Sequence, residues 1–259
     1  LNEPFEDYAD ILPNNRAWAT RIPYIDIEKE MEPFTNCTAI ENGWVWNIPT
    51  WARIGTGYVY SDKYVSPENA LIEFKNYLKS NKMTIPNSKR DVDSYEYKDI
   101  KFRIGIHKRT WVKNVVAIGL SAGFIEPLES NGLFTTHSFL TKLIKSLSRE
   151  TMTQWDRDAY NMTTKALYLG FQEFVAIHYA LSNRTSTKYW QDICKKEFQP
   201  NIAALVPSLQ IGFNDLAERR LNINRYNHDS GLHCIATGMN YFPIDEELIK
   251  AWGFLDGID

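Results

Sequence analysis

The spacing of apolar positions changes along the chain, and each change marks a different kind of element. From residue 17 to 65, aromatic and β-branched residues recur at short intervals broken by "ENG", "IPT" and "GTG", which predicts an antiparallel meander. At Ser66 the period lengthens. Leu71, Phe74 and Leu78 recur at helical spacing behind a Ser66 cap with Pro67 in the first turn, predicting a helix that ends near Lys79. "KFRIGIHKRTWVKN" (101–114) reads as a hairpin, and the continuously apolar "VVAIG" (115–119) as a buried strand stopped by Gly119. After an irregular loop, "GLFTTHSFLTKLIKSL" (132–147) carries Leu140, Leu143, Ile144 and Leu147 as one amphipathic stripe. Helical stretches are then predicted over 157–182, 186–198, 201–222 and 244–252. The chain thus divides into 1–110 (β-meander with one helix and a hairpin), 111–150 (strand, loop, helix) and a helical region over 151–259. Its class is α/β, or α+β taken over these residues alone.

Composition narrows the functional classes. With 259 residues, 44% hydrophobic and 24% charged, there is material for one large domain or two modest ones. A net charge of -3 from 29 basic and 32 acidic residues makes no field that would draw nucleic acid or an anionic membrane. The longest apolar runs, such as Val115 to Leu120, fall far short of a bilayer span, and no charged-then-apolar leader precedes them. The expectation is a cytoplasmic protein with neither a nucleic-acid nor a membrane partner. Cys37, Cys194 and Cys234 are odd in number and widely spaced, and read as reduced and structural.

Two stretches carry candidate chemistry. In "GWVWNIPTW" (43–51), Trp44 and Trp46 are two apart and project from one strand face while Val45 points away; Pro49, which has no N–H to donate, ends the ladder. Such indoles either fill a core or partition a cavity, and the stretch taken alone favours the core. In "VVAIGLSAGFIEPLESNGLFTTHSF" (115–139), a strand ends in glycine and a loop with a further glycine precedes a helix. That order places backbone N–H groups at a positive helix terminus, where an anion or a polarised cofactor edge can sit. Glu126 and Glu129 share the loop: Glu126 reads as its organiser, and Glu129 either caps the following helix or does chemistry. His178 falls on an apolar stripe with Phe171, Phe174 and Val175 and reads as a core histidine. His228, Asp229, His233 and Cys234 have ligand chemistry without a metal spacing, so no metal is assigned. Lys195, Lys196 and Glu197 read as a solvated helix face.

Together the two stretches resemble a known family. "GWVWNIP" resembles the WxWxIP signature of flavin-dependent tryptophan halogenases, and "AIGLSAGFIEPLES" resembles their flavin-contacting and active-site segment. The likeness extends to "NRAWATRIPY", "RIGTGYVYS" and "EFVAIHYALSNRTSTKYW", spanning most of residues 14 to 190. It is nearest to short members of the kind found in marine bacteria and their viruses. The resemblance implies an FAD-dependent monooxygenase-like fold with an antiparallel sheet over the flavin. Members begin with a βαβ unit carrying GxGxxG and a catalytic lysine; this sequence has no such motif, so an upstream segment is expected and no lysine here is assigned the role.

The implied reaction uses reduced FAD from a separate flavin reductase, with oxygen, to oxidise halide (chloride, bromide or iodide) to hypohalous acid. Electrophilic halogen then attacks an electron-rich, indole-like aromatic. By the same resemblance Trp44 and Trp46, with Ile48 and Pro49, separate the flavin from substrate. Glu129 matches the glutamate that stabilises the ring cation and takes its proton, and Ser130 the serine beside the lysine. Asn131 and Gly132 match the pair that binds halide next to the cofactor, and Gly119 a flavin contact; Asn131 departs from the threonine of many members, which puts halide preference in doubt. The resemblance leaves room for a homodimer. Two other classes stay open: a flavin-dependent aromatic monooxygenase, which has no need of WxWxIP, and a non-catalytic binding or scaffold protein.

Overall fold

A computed structural model of the chain describes residues 1–80 and 90–194 together with 235, 238 and 239. In chain order its strands are β1 (Phe5–Asp7), β2 (Arg16–Ile22), β3 (Asn36–Ile40), β4 (Gly43–Pro49), β5 (Ile54–Tyr60), β6 (Lys98–Lys101), β7 (Gly105–His107), β8 (Trp111–Val112), β9 (Val115–Val116) and β10 (Gly123–Phe124). The helices are α1 (Ile27–Glu30), α2 (Pro67–Lys79), α3 (Gly132–Leu147), α4 (Gln154–Ala180) and α5 (Lys188–Ile193). The mixed α/β class with antiparallel sheets is as expected. The described residues form two compact units, one of 7–80, 90–104 and 184–192, the other of 1–6 and 105–183 with 193 and 194.

The unit of residues 7–104 and 184–192 is a five-stranded sheet in the order β3-β4-β5-β2-β6, antiparallel throughout. The expected meander holds for β3-β4-β5, but β2 does not neighbour β3: it pairs with β5 and β6 instead. Alternation records which side chains share a face, not which strands pair. One face packs under α2, where Val45, Tyr58, Tyr60, Ile22 and Ile54 meet Ala70, Phe74, Tyr77 and Leu78. That helix begins as predicted, with the Ser66 hydroxyl accepting from the Asn69 N–H and Pro67 at the start, a cap worth about 1 kcal/mol. A polar network is enclosed between helix and sheet: Asn47 donates to Tyr77 (3.1 Å), Thr56 donates to Asn47 (2.8 Å) and Tyr58 donates to Glu73 (2.7 Å). Burial pushes the Glu73 carboxyl above its ordinary range and the Tyr58 hydroxyl well above its own. Residues 184–192 return to this unit, where the Trp190 indole donates to the Ile40 carbonyl at 2.7 Å.

The opposite face is built from small residues. Trp46 lies across from Cys37 on β3 and Gly57 on β5, Trp44 across from Ala39 and Val59, and Gly57 and Val59 across from Ala19 and Ala17 of β2. The two indoles stand side by side on that bed, ring centroids 6.1 Å apart and planes tilted by 58°.

In the other unit, β1, β7 and β10 form a three-stranded sheet and β8-β9 a short hairpin. Asn161 of α4 fixes that hairpin, accepting from the N–H groups of Thr110 and Trp111 and donating to the Trp111 carbonyl. Two expectations are corrected here. Residues 101–114 are not one hairpin, because β6 pairs with β2, β7 with β10, and only β8 with β9. "VVAIG" is not a buried strand: β9 has two residues, Val115 is exposed, and Ile118 leads into a 3-10 turn over Gly119–Ser121. A run of apolar residues identifies extended chain but cannot supply strands on both sides of it.

The helix α3 has the predicted bounds, but its stripe does not face inward. Leu140, Ile144 and Leu147 are exposed, whereas Thr135 and Phe139 are buried, Phe139 packing on Tyr160 and Tyr168 of α4. The long helix α4 starts three residues before the predicted 157, at Gln154, because Asp156 accepts from both the N–H (2.9 Å) and the hydroxyl (2.8 Å) of Thr153 and closes its first turn. Of the helix predicted over 186–198, α5 is seen over Lys188–Ile193; residues 195–198 of that stretch, the stretches 201–222 and 244–252, the charge run at Lys195, Lys196 and Glu197, and the cluster His228, Asp229, His233 and Cys234 lie outside the described residues. Among the described residues no helix is long and apolar enough to cross a membrane.

Candidate active site

The loop 118–131 brings most of the predicted site residues to the first turn of α3. Gly119 takes a positive φ of +62°, open to glycine at little cost, and its α-carbon approaches that turn closely enough that a β-carbon there would lie 3.2 Å from the Thr136 hydroxyl. Glu126 is fully buried: its carboxylate accepts a short hydrogen bond from the Tyr179 hydroxyl, and the Asn131 side chain reaches its carbonyl at 3.5 Å. It organises the loop, as its place in the sequence suggested. A 3-10 turn over Pro127–Glu129 follows, and Ser130 at φ +51° and ψ 32° swings the chain into the helix. That left-handed geometry costs a non-glycine residue about 1 kcal/mol, held here by the structure around it.

Asn131 is the buried N-cap residue of α3, and Gly132 is exposed with nothing within 4 Å of the position a β-carbon would take. The Asn131 side chain makes no cap hydrogen bond to the helix it precedes. The N–H groups that begin this sixteen-residue helix lie at the positive end of its dipole, an arrangement that favours an anion. Glu129 does not cap the helix. Its Oε1 lies 2.7 Å from Nε2 of His178, whose Nδ1 lies 3.0 Å from the Phe174 carbonyl in the preceding turn of α4.

His178 is thus not the enclosed core histidine that its stripe suggested. Phe171, Phe174 and Val175 are buried as expected, but the imidazole is half-buried, edge-on to Phe174 and turned to the carboxylate. No sequence signal joins it to Glu129, because 49 residues separate them and the helix period reports only which side of α4 carries His178.

Trp44, Trp46, Ile48 and Pro49 belong to the other unit, on β4. The first is buried, Trp46 and Pro49 are half-buried and Ile48 is exposed. Trp44 and Trp46 share a face with Val45 turned to the core beneath α2, as the alternation predicts, and Pro49 closes the β4-β5 ladder opposite Ile54. The sequence reading missed Gly57: a β-carbon on it would come within 2.2 Å of the Trp46 ring, so the absence of a side chain there is what lets the indole approach the strand so closely. Among the described residues no group of three His, Cys, Asp or Glu side chains is placed to hold a metal ion.

Residues 1–250 match the family model described as tryptophan halogenase. The chain belongs to the tryptophan halogenase family. It is 35% identical over 215 residues to the 7-chloro-L-tryptophan 6-halogenase KtzR of Kutzneria sp. (strain 744), an alignment that covers 83% of this chain and 40% of that protein. Its fold is similar to the crystal structure of the tryptophan 6-halogenase SttH from Streptomyces toxytricini, with a TM-score of 0.71 at 36% identity over 80% of this chain and 39% of that one. The VirX1 apo structure is similar at a TM-score of 0.72 and 35% identity, covering 96% of this chain and 50% of the other. The chain therefore spans 40% or less of the length of KtzR and SttH. The loop at 119–132 and the strand β4 both lie within the residues that the family model matches, and the start of α3 beside the buried Asn131 presents backbone N–H donors of the kind an anion or a polarised cofactor edge requires.

Proposed function

We propose that the protein is a flavin-dependent halogenase that places an electrophilic halogen on an electron-rich, indole-like aromatic. The observation that supports this reading is the run Glu129-Ser130-Asn131-Gly132, which sets a carboxylate next to the start of α3 in a chain of the tryptophan halogenase family. Gly119, Asn131 and Gly132 would hold the cofactor edge and the halide. Reduced FAD, supplied by a separate flavin reductase and reoxidised by oxygen, would provide the oxidation of halide to hypohalous acid.

The chain's own residues have four tasks in this reading. The N–H groups at the start of α3 bind halide by charge and dipole. The Glu129 carboxylate lowers the energy of the positive ring formed when halogen adds, then takes the proton from the ring carbon as the C–H electron pair restores aromaticity. Ser130 stands beside it to bond the oxidant. Trp44 and Trp46, with Ile48 and Pro49, keep the aromatic away from the flavin. A cytoplasmic setting, where reduced flavin is made, goes with this reading.

The test supplies the native protein with FAD, a flavin reductase, oxygen, bromide or chloride, and tryptophan or a simple indole, and identifies products by mass. Halogenated product is expected; Glu129→Gln should lower its yield roughly 100-fold while flavin reoxidation continues. A hydroxylated product would identify a monooxygenase instead, and equal losses in both half-reactions would make Glu129 a structural residue.

A further inference from the structure

The geometry points to His178 as a positioning residue for Glu129, an inference that rests on the halogenase reading above. The Phe174 carbonyl can only accept, so the Nδ1 facing it at 3.0 Å carries a hydrogen. One proton then lies between Nε2 and Oε1 of Glu129, 2.7 Å apart. The ring is held at two points, by a backbone carbonyl of its own helix and by the carboxylate, and its face is fixed edge-on to Phe174 with centroids 5.8 Å apart. Phe174 is itself buried.

The consequence falls on the carboxylate. Glu129 ends a short 3-10 turn and precedes a left-handed Ser130, so little in its own backbone restrains the side chain. Its contact with α4 anchors Oε1 to a 27-residue helix. Among the described residues Oε2 has no hydrogen-bond partner. His178 therefore holds one oxygen and leaves the other available on a partly exposed side chain, which a carboxylate needs if it is to meet a ring cation and its departing proton at hydrogen-bond range. A freely rotating glutamate would spend much of its time elsewhere.

The experiment compares His178→Leu, His178→Gln, Glu129→Gln and the double variant Glu129→Gln/His178→Leu in the native protein. Thermal midpoint, flavin oxidation rate and halogenated product per flavin oxidised are read for each. His178→Leu should lower the product ratio roughly tenfold or more, the scale of a lost hydrogen bond to a charged group, with flavin oxidation unchanged. His178→Gln, whose amide N–H can donate to the same oxygen, should restore most of the ratio, which a loss of packing would not predict. The double variant should be no worse than Glu129→Gln alone, because His178 acts through that carboxylate. A native ratio in His178→Leu, or losses that multiply in the double variant, would overturn the positioning role. If Glu129→Gln itself keeps the native ratio, the failure lies with the halogenase role of Glu129 instead.

A second measurement needs no His178 variant. Long-range ¹H-¹⁵N spectra of the histidine-labelled protein should show Nδ1 of His178 protonated, and its Nε2 resonance should move in Glu129→Gln. An Nε2 resonance that ignores Glu129→Gln overturns the inference even if a His178 variant fails to fold.

Discussion

The Trp46 indole rests directly on Gly57 of the neighbouring strand, with the position of a missing β-carbon only 2.2 Å from its ring and 2.7 Å from the Trp18 carbonyl. Gly57→Ala must therefore displace either the indole or the backbone of β2. It should cost roughly 1–3 kcal/mol and change the near-ultraviolet circular dichroism of the tryptophans. Gly55→Ala is the control on the same strand face, because a β-carbon there would sit 3.8 Å from the Ile48 carbonyl in ordinary contact. Equal effects of the two substitutions would show that Trp46 does not depend on the gap.

The paired indoles give a second prediction. Trp44→Phe with Trp46→Phe keeps an aromatic at each position over the bed of Cys37, Ala39, Ala17 and Ala19, so the fold should survive with a loss of roughly 2 kcal/mol. If the pair separates substrate from flavin, halogenated product per flavin oxidised should fall further than stability explains. Thermal midpoint, FAD occupancy and that ratio are the readouts; an unchanged ratio in folded, FAD-loaded protein leaves the indoles as packing.

A buried ion pair closes the edge of the same unit. Arg90 donates to Glu30 at 2.6 Å and to the Pro23 carbonyl at 3.3 Å, with side chains only 2% and 8% exposed. Arg90→Met would strand a buried carboxylate and should cost about 3 kcal/mol, measured by urea denaturation. Adding Glu30→Gln should recover much of that loss. No recovery would mean that the arginine contributes through packing or its carbonyl bond rather than through charge.

Asp156 supplies a pH dependence. Hydrogen bonds from the Thr153 N–H and hydroxyl, aided by Arg149 at 2.7 Å, hold its carboxyl below the ordinary 3.8. A depressed folded value means that the unfolded chain binds the proton first, so the contribution to stability is present above 3.8 and disappears as pH falls through the folded value. Asp156→Asn should lower the thermal midpoint at neutral pH, and the gap between the two proteins should begin to close below pH 3.8 and be gone once the pH is below the folded value. A difference that persists unchanged to low pH would assign the effect to the amide rather than to the charge.

Local chemistry made much of this protein legible in one dimension. Ser66 and Pro67 start α2, and a run of helical period ends it at Lys79; strand alternation puts Trp44 and Trp46 on one face; the loop from Gly119 to Gly132 leads into a helix terminus. These depend on residues within a few positions of one another, where sterics, capping and period act without a partner. Tertiary structure decided everything that needs a second segment. It paired β2 with β5 and β6, broke the supposed hairpin at 101–114, exposed the Leu140, Ile144 and Leu147 side of α3, laid Trp46 on Gly57, and turned His178 to Glu129 across 49 residues. An apolar side chain carries no record of which neighbour will cover it, and a hydrogen bond between distant residues exists only once the elements bearing them have packed.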